Sequence, residues 1–334
     1  MVVQPGVPGP MRILFFGTPQ IAAEFLKDLL ATADVVGVIT QPDRPASRGQ
    51  QLQAPAVKVL ALEKHIPVFQ PEKFTPEVIE QLKALKPDIG VVVSYGKLIP
   101  PSVFTLPKFG CFNIHFSLLP KYRGAAPVQW ALINGETQTG VTSFWIEKSL
   151  DSGPILVQKA IPVAPEDDSA TLMRKLICLG IEVMHETLDR VEAGNCMGTP
   201  QEGEPSYAPS LKKEEGLIHW DRPAGEILNR IRGTKPWPGA YTFIGSGKLT
   251  GKMLKIVSAH VVPQCPPEQG CLPESHPGQI AGVEKSKGFV VRCGSGFLQV
   301  DEVHPQDKKQ MSAWAFWQGG QLNVGDSLNN GKEA

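Results

Sequence analysis

Arg12-Ile-Leu-Phe-Phe-Gly-Thr-Pro19 begins the part of the chain that decides the fold. The apolar run after Arg12 predicts a buried strand, and Gly17 predicts the tight turn that ends it. Residues 21–30 repeat their apolar side chains with the period of a helix, and residues 35–40 form a second apolar run. A strand, a turn, a helix and a strand in this order predict an α/β domain with a Rossmann-like parallel sheet.

Length and charge bound the organisation of the chain. Its 334 residues favour two domains, and 42% hydrophobic residues suffice for folded cores. Lys+Arg and Asp+Glu both number 33, which excludes a strongly basic nucleic-acid binder by bulk charge but allows a local basic patch. Residues 1–10 carry no charge and several prolines, so we expect a disordered extension there and the start of the fold at Met11.

Cofactor and compartment signals are weak. Gly17 stands where a dinucleotide-binding fold has its glycine fingerprint, but one glycine does not make a G-x-G-x-x-G motif, so no nicotinamide cofactor is predicted. The six cysteines form no C-x-x-C pair, which argues against a zinc site and against a disulfide framework. Reduced thiols predict a cytoplasmic protein, and no apolar run reaches membrane-spanning length.

The character of the sequence changes after residue 195. Prolines and glycines between residues 196 and 220 predict a linker. Closely spaced short strands then predict a small OB-like β-barrel, where a slight excess of basic residues suits RNA. We therefore expect an α/β catalytic domain over residues 11–195, the linker over 196–220 and the barrel domain over 221–325.

A second stretch, Asn113-Ile-His115-Phe-Ser-Leu-Leu-Pro120, is where we expect chemistry. Asn113 and His115 lie two residues apart on a short apolar strand, so they share a face. The turn that follows lies at the carboxyl end of that strand, where α/β sheets bind ligands. An amide donor that holds an oxyanion and an imidazole that moves a proton suit attack on a carbonyl. The alternative is a buried strand whose polar pair only bonds backbone groups.

Two loops add candidate residues. Asp151 follows a strand predicted over residues 140–146; it either forms a turn beside Gly153 or reaches His115, orients its ring and favours its protonated form. The polar loop over residues 41–53 carries Arg44 and Arg48. It is either ordinary solvated surface or a clamp on a phosphate backbone.

Six segments together resemble one known family. They are Phe16-Gly-Thr-Pro19, Gln41-Pro-Asp-Arg-Pro45, Ser94-Tyr-Gly-Lys97, residues 113–127, Leu150-Asp-Ser-Gly153 and Lys235-Pro-Trp-Pro-Gly239. Taken with the rest of residues 11–325, they resemble the methionyl-tRNA formyltransferase family. The Asn, His and Asp trio is shared by all 10-formyltetrahydrofolate-dependent formyltransferases, whereas the arginine-bearing loop and the C-terminal barrel point to the tRNA-specific family.

The resemblance implies an activity and a set of roles. A formyl group passes from 10-formyltetrahydrofolate to the α-amino group of methionine carried by initiator tRNA. Asn113, His115 and Asp151 are implied to be catalytic, Ser117, Leu118, Leu119 and Pro120 to bind the folate, and Arg44 and Arg48 to bind the tRNA. Neither a metal nor NAD is implied, and we expect a monomer without a membrane partner.

Two other classes of function stay open at this point. The chain could be a small-molecule formyltransferase that acts on a sugar or a purine precursor, but an arginine loop and a basic barrel have no evident use on a small free amine. It could instead be a non-catalytic RNA-binding protein that uses only its barrel. The intact trio of Asn113, His115 and Asp151 argues against that second alternative.

Overall fold

A computed structural model describes residues 10–46, 51–265, 272, 274–320 and 322–331. The expected disordered extension, apart from Pro10, lies outside the described residues, and so do Arg48 and most of the proline-rich segment that follows Cys265. The contacts divide the chain into two compact units. The first comprises Met1–Pro127, Gln138–Pro162 and Met173–Pro209, and the second comprises Val128–Thr137, Val163–Leu172 and Ser210–Ala334.

Strands and helices alternate through the first two hundred residues. Up to residue 209 the strands are β1 (Arg12–Gly17), β2 (Asp34–Ile39), β3 (Arg44–Ala46), β4 (Gln51–Gln53), β5 (Val68–Phe69), β6 (Ile89–Val93), β7 (Cys111–His115), β8 (Gln138–Trp145) and β9 (Ile155–Pro162). The helices are α1 (Gln20–Thr32), α2 (Ala56–Glu63), α3 (Pro76–Ala84), α4 (Pro101–Phe104), α5 (Pro127–Ile133) and α6 (Ser169–Glu192).

A seven-stranded sheet forms the framework of the first unit. Its strand order is β5-β2-β1-β6-β7-β8-β9. Strands β5 to β7 in this order run parallel, as the alternation of strands and helices predicts. All five residues of β6 are buried, since helices of a parallel α/β sheet cover both faces and every side chain of such a strand is apolar. The Rossmann-like expectation is therefore confirmed for the core of the sheet.

The far edge of the sheet and the polar loop differ from the expectation. β8 pairs antiparallel with β7, and β9 pairs antiparallel with β8, so the sheet is mixed rather than purely parallel. The loop expected over residues 41–53 contains the short antiparallel pair β3–β4. Apolar periodicity signals that a segment is a strand but carries no information about its direction, and short polar strands have no apolar signal at all.

The second unit is built around an antiparallel sheet. Its elements beyond residue 210 are α7 (Ala224–Thr234), β10 (Tyr241–Ile244), β11 (Met253–Val262), β12 (Ile280–Glu284), β13 (Gly288–Arg292), β14 (Phe297–Pro305), β15 (Met311–Ser312), α8 (Ala313–Gln318) and β16 (Leu328–Asn329). The strand order is β12-β13-β14-β11-β10-β16, with β15 paired to β14. An isolated bridge between Gln279 and Ser327 connects the two ends of this order, so the sheet curls into a small barrel as predicted.

The apolar interior of the second unit explains why the closely spaced strands fold together. Alternate residues of its strands point inward, and their side chains pack with those of α7 and α8. Phe289 and Leu298 are fully buried there, and Ile227 and Ile231 of α7 belong to the same buried cluster. Sheets of this kind need such a covered face to be stable in water.

Residues 196–209, the first part of the predicted linker, belong to the first compact unit. The boundaries expected for the catalytic and barrel domains stay a prediction. Tyr207 forms a β-bridge with Arg123, and Ala208 is fully buried. Prolines and glycines exclude regular helices and strands from a segment, but they do not prevent an irregular segment from packing.

Among the described residues, no helix combines the length and the apolar composition that crossing a lipid bilayer requires.

Candidate active site

β7 carries two polar side chains of the site on one face. His115 is buried with 5% of its surface exposed, while Asn113 is half-buried. Within the sheet Asn113 pairs with Phe144 and His115 with Thr142, so the imidazole has an aromatic neighbour on β8. The rings of His115 and Phe144 meet edge to face with centroids 6.4 Å apart. The shared face predicted from strand alternation is therefore present.

The ring of His115 is oriented by a backbone carbonyl. Its Nε2 atom lies 2.9 Å from the carbonyl oxygen of Tyr122. A carbonyl oxygen only accepts, so Nε2 carries a proton and donates it. Nδ1 lies 3.8 Å from Oδ2 of Asp151, which is longer than a direct hydrogen bond. Nδ1 is consequently the ring nitrogen that can exchange a proton.

Asp151 reaches His115 by an indirect route. β8 runs antiparallel to β7, so it ends at Trp145 beside Phe112, near the start of β7. The following loop folds back over the site, and Asp151 adopts a left-handed backbone with φ of 47°. Its Oδ2 atom accepts a hydrogen bond of 2.8 Å from the backbone N–H of Gly124. The loop aspartate thus stands between the imidazole and the segment that follows β7.

The turn after β7 is fixed from inside. Ser117 is fully buried; its hydroxyl donates to the carbonyl of Lys121 at 2.6 Å, and its own carbonyl accepts from the hydroxyl of Thr142. Leu119 is also buried, whereas Leu118 and Pro120 are half-buried. Of the four residues predicted to bind folate, Ser117 has its hydroxyl hydrogen-bonded within the turn. Leu118 and Pro120 have partly exposed side chains that a ligand can contact.

Asn113 differs from its neighbours because its amide is free. Among the described residues no group forms a hydrogen bond with this side chain. In a strand with only a structural role, a half-buried amide without a hydrogen-bond partner would lose contact with water and gain no hydrogen bond in return. Its N–H groups are available to a ligand that enters beside His115.

Arg44 lies at the start of β3. Its Nη2 atom donates to Oε1 of Gln41 at 2.7 Å, and Nε2 of Gln41 donates to the carbonyl of Tyr95 at 2.9 Å. A cavity of about 1050 Å³ adjoins Arg44, lined by residues of α1, α2 and the β3–β4 pair. None of Asn113, His115 and Asp151 is among the residues that line this cavity.

Tyr95 follows the strand next to β7, but it has no acid–base function at neutral pH. Burial raises the pKa of Tyr95 to about 12. Its hydroxyl finds no hydrogen-bond partner among the described groups, and its ring packs edge to face on Phe16. Tyr95 is therefore a neutral wall residue of the sheet end.

Three residues that the sequence did not single out contact the site. Gln201 and Ser206 come from the segment predicted as a linker, and Arg123 comes from the turn after β7. Gln201 donates to the carbonyl of Asp151, and Ser206 accepts from the backbone N–H of Tyr122. Arg123 donates to the side chain of Gln201. Nothing in a single sequence links residues that far apart. Within the described residues no cluster of His, Cys, Asp and Glu has the geometry of a metal site.

Two family models match the chain. The model described as "Formyl transferase" matches residues 11–188, and the model described as "Formyl transferase, C-terminal domain" matches residues 210–321. Between the two matches, residues 189–209, which carry Gln201 and Ser206, stay unmatched.

Relatives match over nearly their whole length. The chain is 48% identical over 316 residues to the methionyl-tRNA formyltransferase of Endomicrobium trichonymphae, covering 95% of this chain and 99% of the relative. It is 44% identical over 323 residues to the methionyl-tRNA formyltransferase of Geobacter metallireducens, covering 96% of this chain and 99% of that one.

Solved structures share the fold at lower identity. HypX of Aquifex aeolicus in complex with tetrahydrofolic acid aligns with a TM-score of 0.60 and 18% identity over 95% of this chain, which spans about half of HypX, 48% of its length. WlaRD, a sugar 3N-formyl transferase, aligns with a TM-score of 0.62 and 19% identity over 90% of this chain and 100% of its own. At these identities the likeness shows the fold alone.

Proposed function

Since this chain belongs to the methionyl-tRNA formyltransferase family, we propose that it transfers the formyl group of 10-formyltetrahydrofolate to the α-amino group of methionine on initiator tRNA. The product is N-formylmethionyl-tRNA, which serves translation initiation. One observation supports the proposal most strongly: the unpaired amide of Asn113 and the ring of His115 share one face of β7, and Nδ1 of His115 lies 3.8 Å from Asp151. We assign these three residues the catalytic roles.

The reaction requires charge stabilisation on one oxygen and movement of one proton. The amino nitrogen forms a bond to the formyl carbon, whose oxygen becomes a tetrahedral oxyanion. Collapse of that intermediate breaks the bond to N10 of the folate, which leaves with the proton that His115 has received from the attacking amine. Asn113 donates an N–H to the oxyanion, a form of stabilisation whose removal typically costs roughly 10²–10³ in rate.

His115 and Asp151 account for the proton. Nε2 of His115 stays bound to the Tyr122 carbonyl throughout, so Nδ1 carries the proton that moves. The carboxylate of Asp151, 3.8 Å away, stabilises the imidazolium that forms when Nδ1 takes the proton of the attacking amine. The gap leaves Nδ1 accessible to the reacting groups.

We assign substrate binding to two further regions. The turn over Ser117, Leu118, Leu119 and Pro120 would contact the folate, and the partial exposure of Leu118 and Pro120 supports this. Arg44 and Arg48 would bind phosphates of the tRNA; the exposed position of Arg44 beside a large cavity supports its assignment, while that of Arg48 rests on the sequence.

Formyl transfer between two amines changes no oxidation state, so the proposal requires no nicotinamide. Asn113 stabilises the oxyanion and His115 moves the proton, so the proposal requires no metal ion either. We further propose that the enzyme is monomeric and acts in the cytoplasm, where reduced thiols are stable.

The test is an assay with charged initiator tRNA and 10-formyltetrahydrofolate in which release of tetrahydrofolate is followed. We expect turnover that depends on the methionyl group and stops when uncharged tRNA replaces it. A nucleotide-linked amino sugar and free methionine serve as competing acceptors. Faster turnover with either small amine would reject the tRNA acceptor, and no turnover with any acceptor would reject the enzyme.

A further inference from the structure

Resting on the proposed function, we propose that Gln201 is a positioning residue that holds Asp151 in place for catalysis. Gln201 belongs to the irregular segment Thr199–Ala208, which we call the clamp segment. This segment returns to the site after α6 and contacts the backbones that orient both Asp151 and His115.

The amide of Gln201 is hydrogen-bonded at both ends. Nε2 donates to the carbonyl of Asp151 at 2.8 Å and to the carbonyl of Gly153 at 2.9 Å. Oε1 accepts from Nε of Arg123 at 3.2 Å and from Nη2 of the same side chain at 2.7 Å. An amide has two N–H donors and an oxygen with two lone pairs, so all four are in use.

The Asp151 loop needs such a partner because its backbone is unusual. A non-glycine residue with φ of 47° occupies a sparsely populated region and persists where its surroundings hold it. The two bonds from Gln201 fix the carbonyls on either side of Ser152, and they thereby set the direction in which the Asp151 side chain leaves the loop. Only a side chain with two donors can make this pair of bonds.

A second contact of the clamp segment fixes the other partner. The hydroxyl of Ser206 accepts from the backbone N–H of Tyr122 at 2.9 Å, and the carbonyl of Tyr122 in turn receives Nε2 of His115. The backbones of Arg123 and Ala208 add a bond of 2.7 Å beside it. The clamp segment therefore holds the backbone of Asp151 and the backbone that orients His115, the two residues whose Oδ2 and Nδ1 atoms lie 3.8 Å apart.

This arrangement predicts an effect on kcat rather than on binding. Gln201 contacts the Asp151 loop and Arg123, and it acts on the reaction through Asp151. A shift of about 1 Å in a reacting group suffices to lower a rate strongly while substrate contacts elsewhere are kept. Losing the two donors should lower kcat about tenfold, with both KM values within about twofold, as expected for one or two neutral hydrogen bonds.

The experiment uses the full-length enzyme with Gln201→Met and Gln201→Glu. Methionine keeps the length of the side chain without any hydrogen bond, whereas glutamate keeps the partner of Arg123 and loses both donors. We expect both variants to lower kcat, and we expect the pH profile of kcat to change, because the carboxylate of Asp151 no longer faces His115 at its native distance. Glu202→Gln, an exposed neighbour, is the matched control and should behave as wild type.

The double variant Gln201→Met/Asp151→Ala separates positioning from a general structural role. If Gln201 acts through Asp151, the double variant has the kcat of Asp151→Ala alone. Losses that multiply, a wild-type kcat and pH profile in folded Gln201→Glu, or a lowered melting temperature with unchanged kcat would overturn the proposal. If Asp151→Ala itself keeps wild-type kcat, the proposed catalytic role of Asp151 fails instead, and the proposal for Gln201 falls with it.

Discussion

Oδ2 of Asp151 lies 3.8 Å from Nδ1 of His115 and also accepts a hydrogen bond from the backbone N–H of Gly124. One carboxylate oxygen thus faces both the imidazole and the turn that follows β7. In the proposed mechanism Asp151 acts through its position relative to His115, so the two residues should behave as one unit in mutational tests.

Removing either member of this pair should lower kcat far more than it weakens substrate binding. We expect His115→Ala to lower kcat by about 10²–10⁴-fold, the range of general acid–base catalysis, and Asp151→Ala to lower it less. The loss in the double variant should be smaller than the product of the single losses. Steady-state kinetics with both substrates varied measures this. Losses that multiply would mean independent action, and a near-normal kcat in His115→Ala would leave β7 with a structural role only.

Asn113→Ala tests the oxyanion donor separately. We expect kcat to fall by roughly 10²–10³-fold, because a donor aimed at developing charge is lost. The melting temperature should change little, since among the described residues no group bonds to the Asn113 amide. Thermal unfolding and kinetics on the same preparation check both statements. A large loss of stability with a proportionate loss of activity would contradict the assignment.

Arg44→Ala should weaken tRNA binding in a salt-dependent way. Each phosphate contact adds about one unit to the slope of log K against log salt, so the slope should become flatter by about one unit. Lys83→Ala is the control, because Lys83 is an exposed cation paired with Glu80 on α3. Binding isotherms at several salt concentrations give the slopes. Arg48→Ala should have the same effect; equal slopes for Arg44→Ala, Lys83→Ala and wild type would make the loop ordinary surface.

Cysteine labelling should follow burial. Burial raises the pKa of the Cys111 thiol far above its ordinary range and raises the pKa of Cys293 to about 12, with Arg292 opposing the second shift. Only thiolates react, so at pH 8 iodoacetamide should modify exposed Cys178 first and reach the other two only after urea is added. Peptide mass spectrometry against time measures the order. Equal rates for Cys111 and Cys178 in the native enzyme would contradict it.

Two glycines should respond differently to substitution by alanine. A Cβ at Gly153 would lie 1.8 Å from the carbonyl oxygen of Trp145, so Gly153→Ala forces the Asp151 loop to move and should cost about 1–3 kcal/mol or more, together with activity. At Gly225, in the first turn of α7, a Cβ meets nothing within 4 Å. Gly225→Ala should be neutral or stabilise by about 0.5 kcal/mol. Urea unfolding curves compare the two; equal midpoints would be inconsistent with the loop geometry.

The predictable part of the site is local. Alternation along β7 places Asn113 and His115 on one face whatever the rest of the chain does. The apolar runs predict the strands and the α/β class, because buried strands need apolar side chains on both faces. The direction of β8 is not encoded in such a run, so the path of the Asp151 loop over the site did not follow from it.

The unpredicted part depends on distant partners. Gln201 hydrogen-bonds to the backbone of Asp151, 50 residues earlier in the chain. Ser206 hydrogen-bonds to the backbone of Tyr122, 84 residues earlier. In the sequence they stand among prolines and glycines, which exclude regular structure and so indicate a linker. Short side-chain bonds to an irregular backbone have no periodicity from which they could be predicted.

The late place of the clamp segment in the chain has a consequence during synthesis. A ribosome delivers Asn113, His115 and Asp151 first, and Gln201 and Ser206 only some fifty residues after Asp151. Domains generally fold as units while they emerge, so the nascent first unit can form most of its sheet before the clamp segment leaves the exit tunnel. Until then neither Asp151 nor Tyr122 has its partner from that segment. A nascent chain halted near residue 195 would therefore hold Asn113, His115 and Asp151 without the hydrogen bonds by which Gln201 and Ser206 align them.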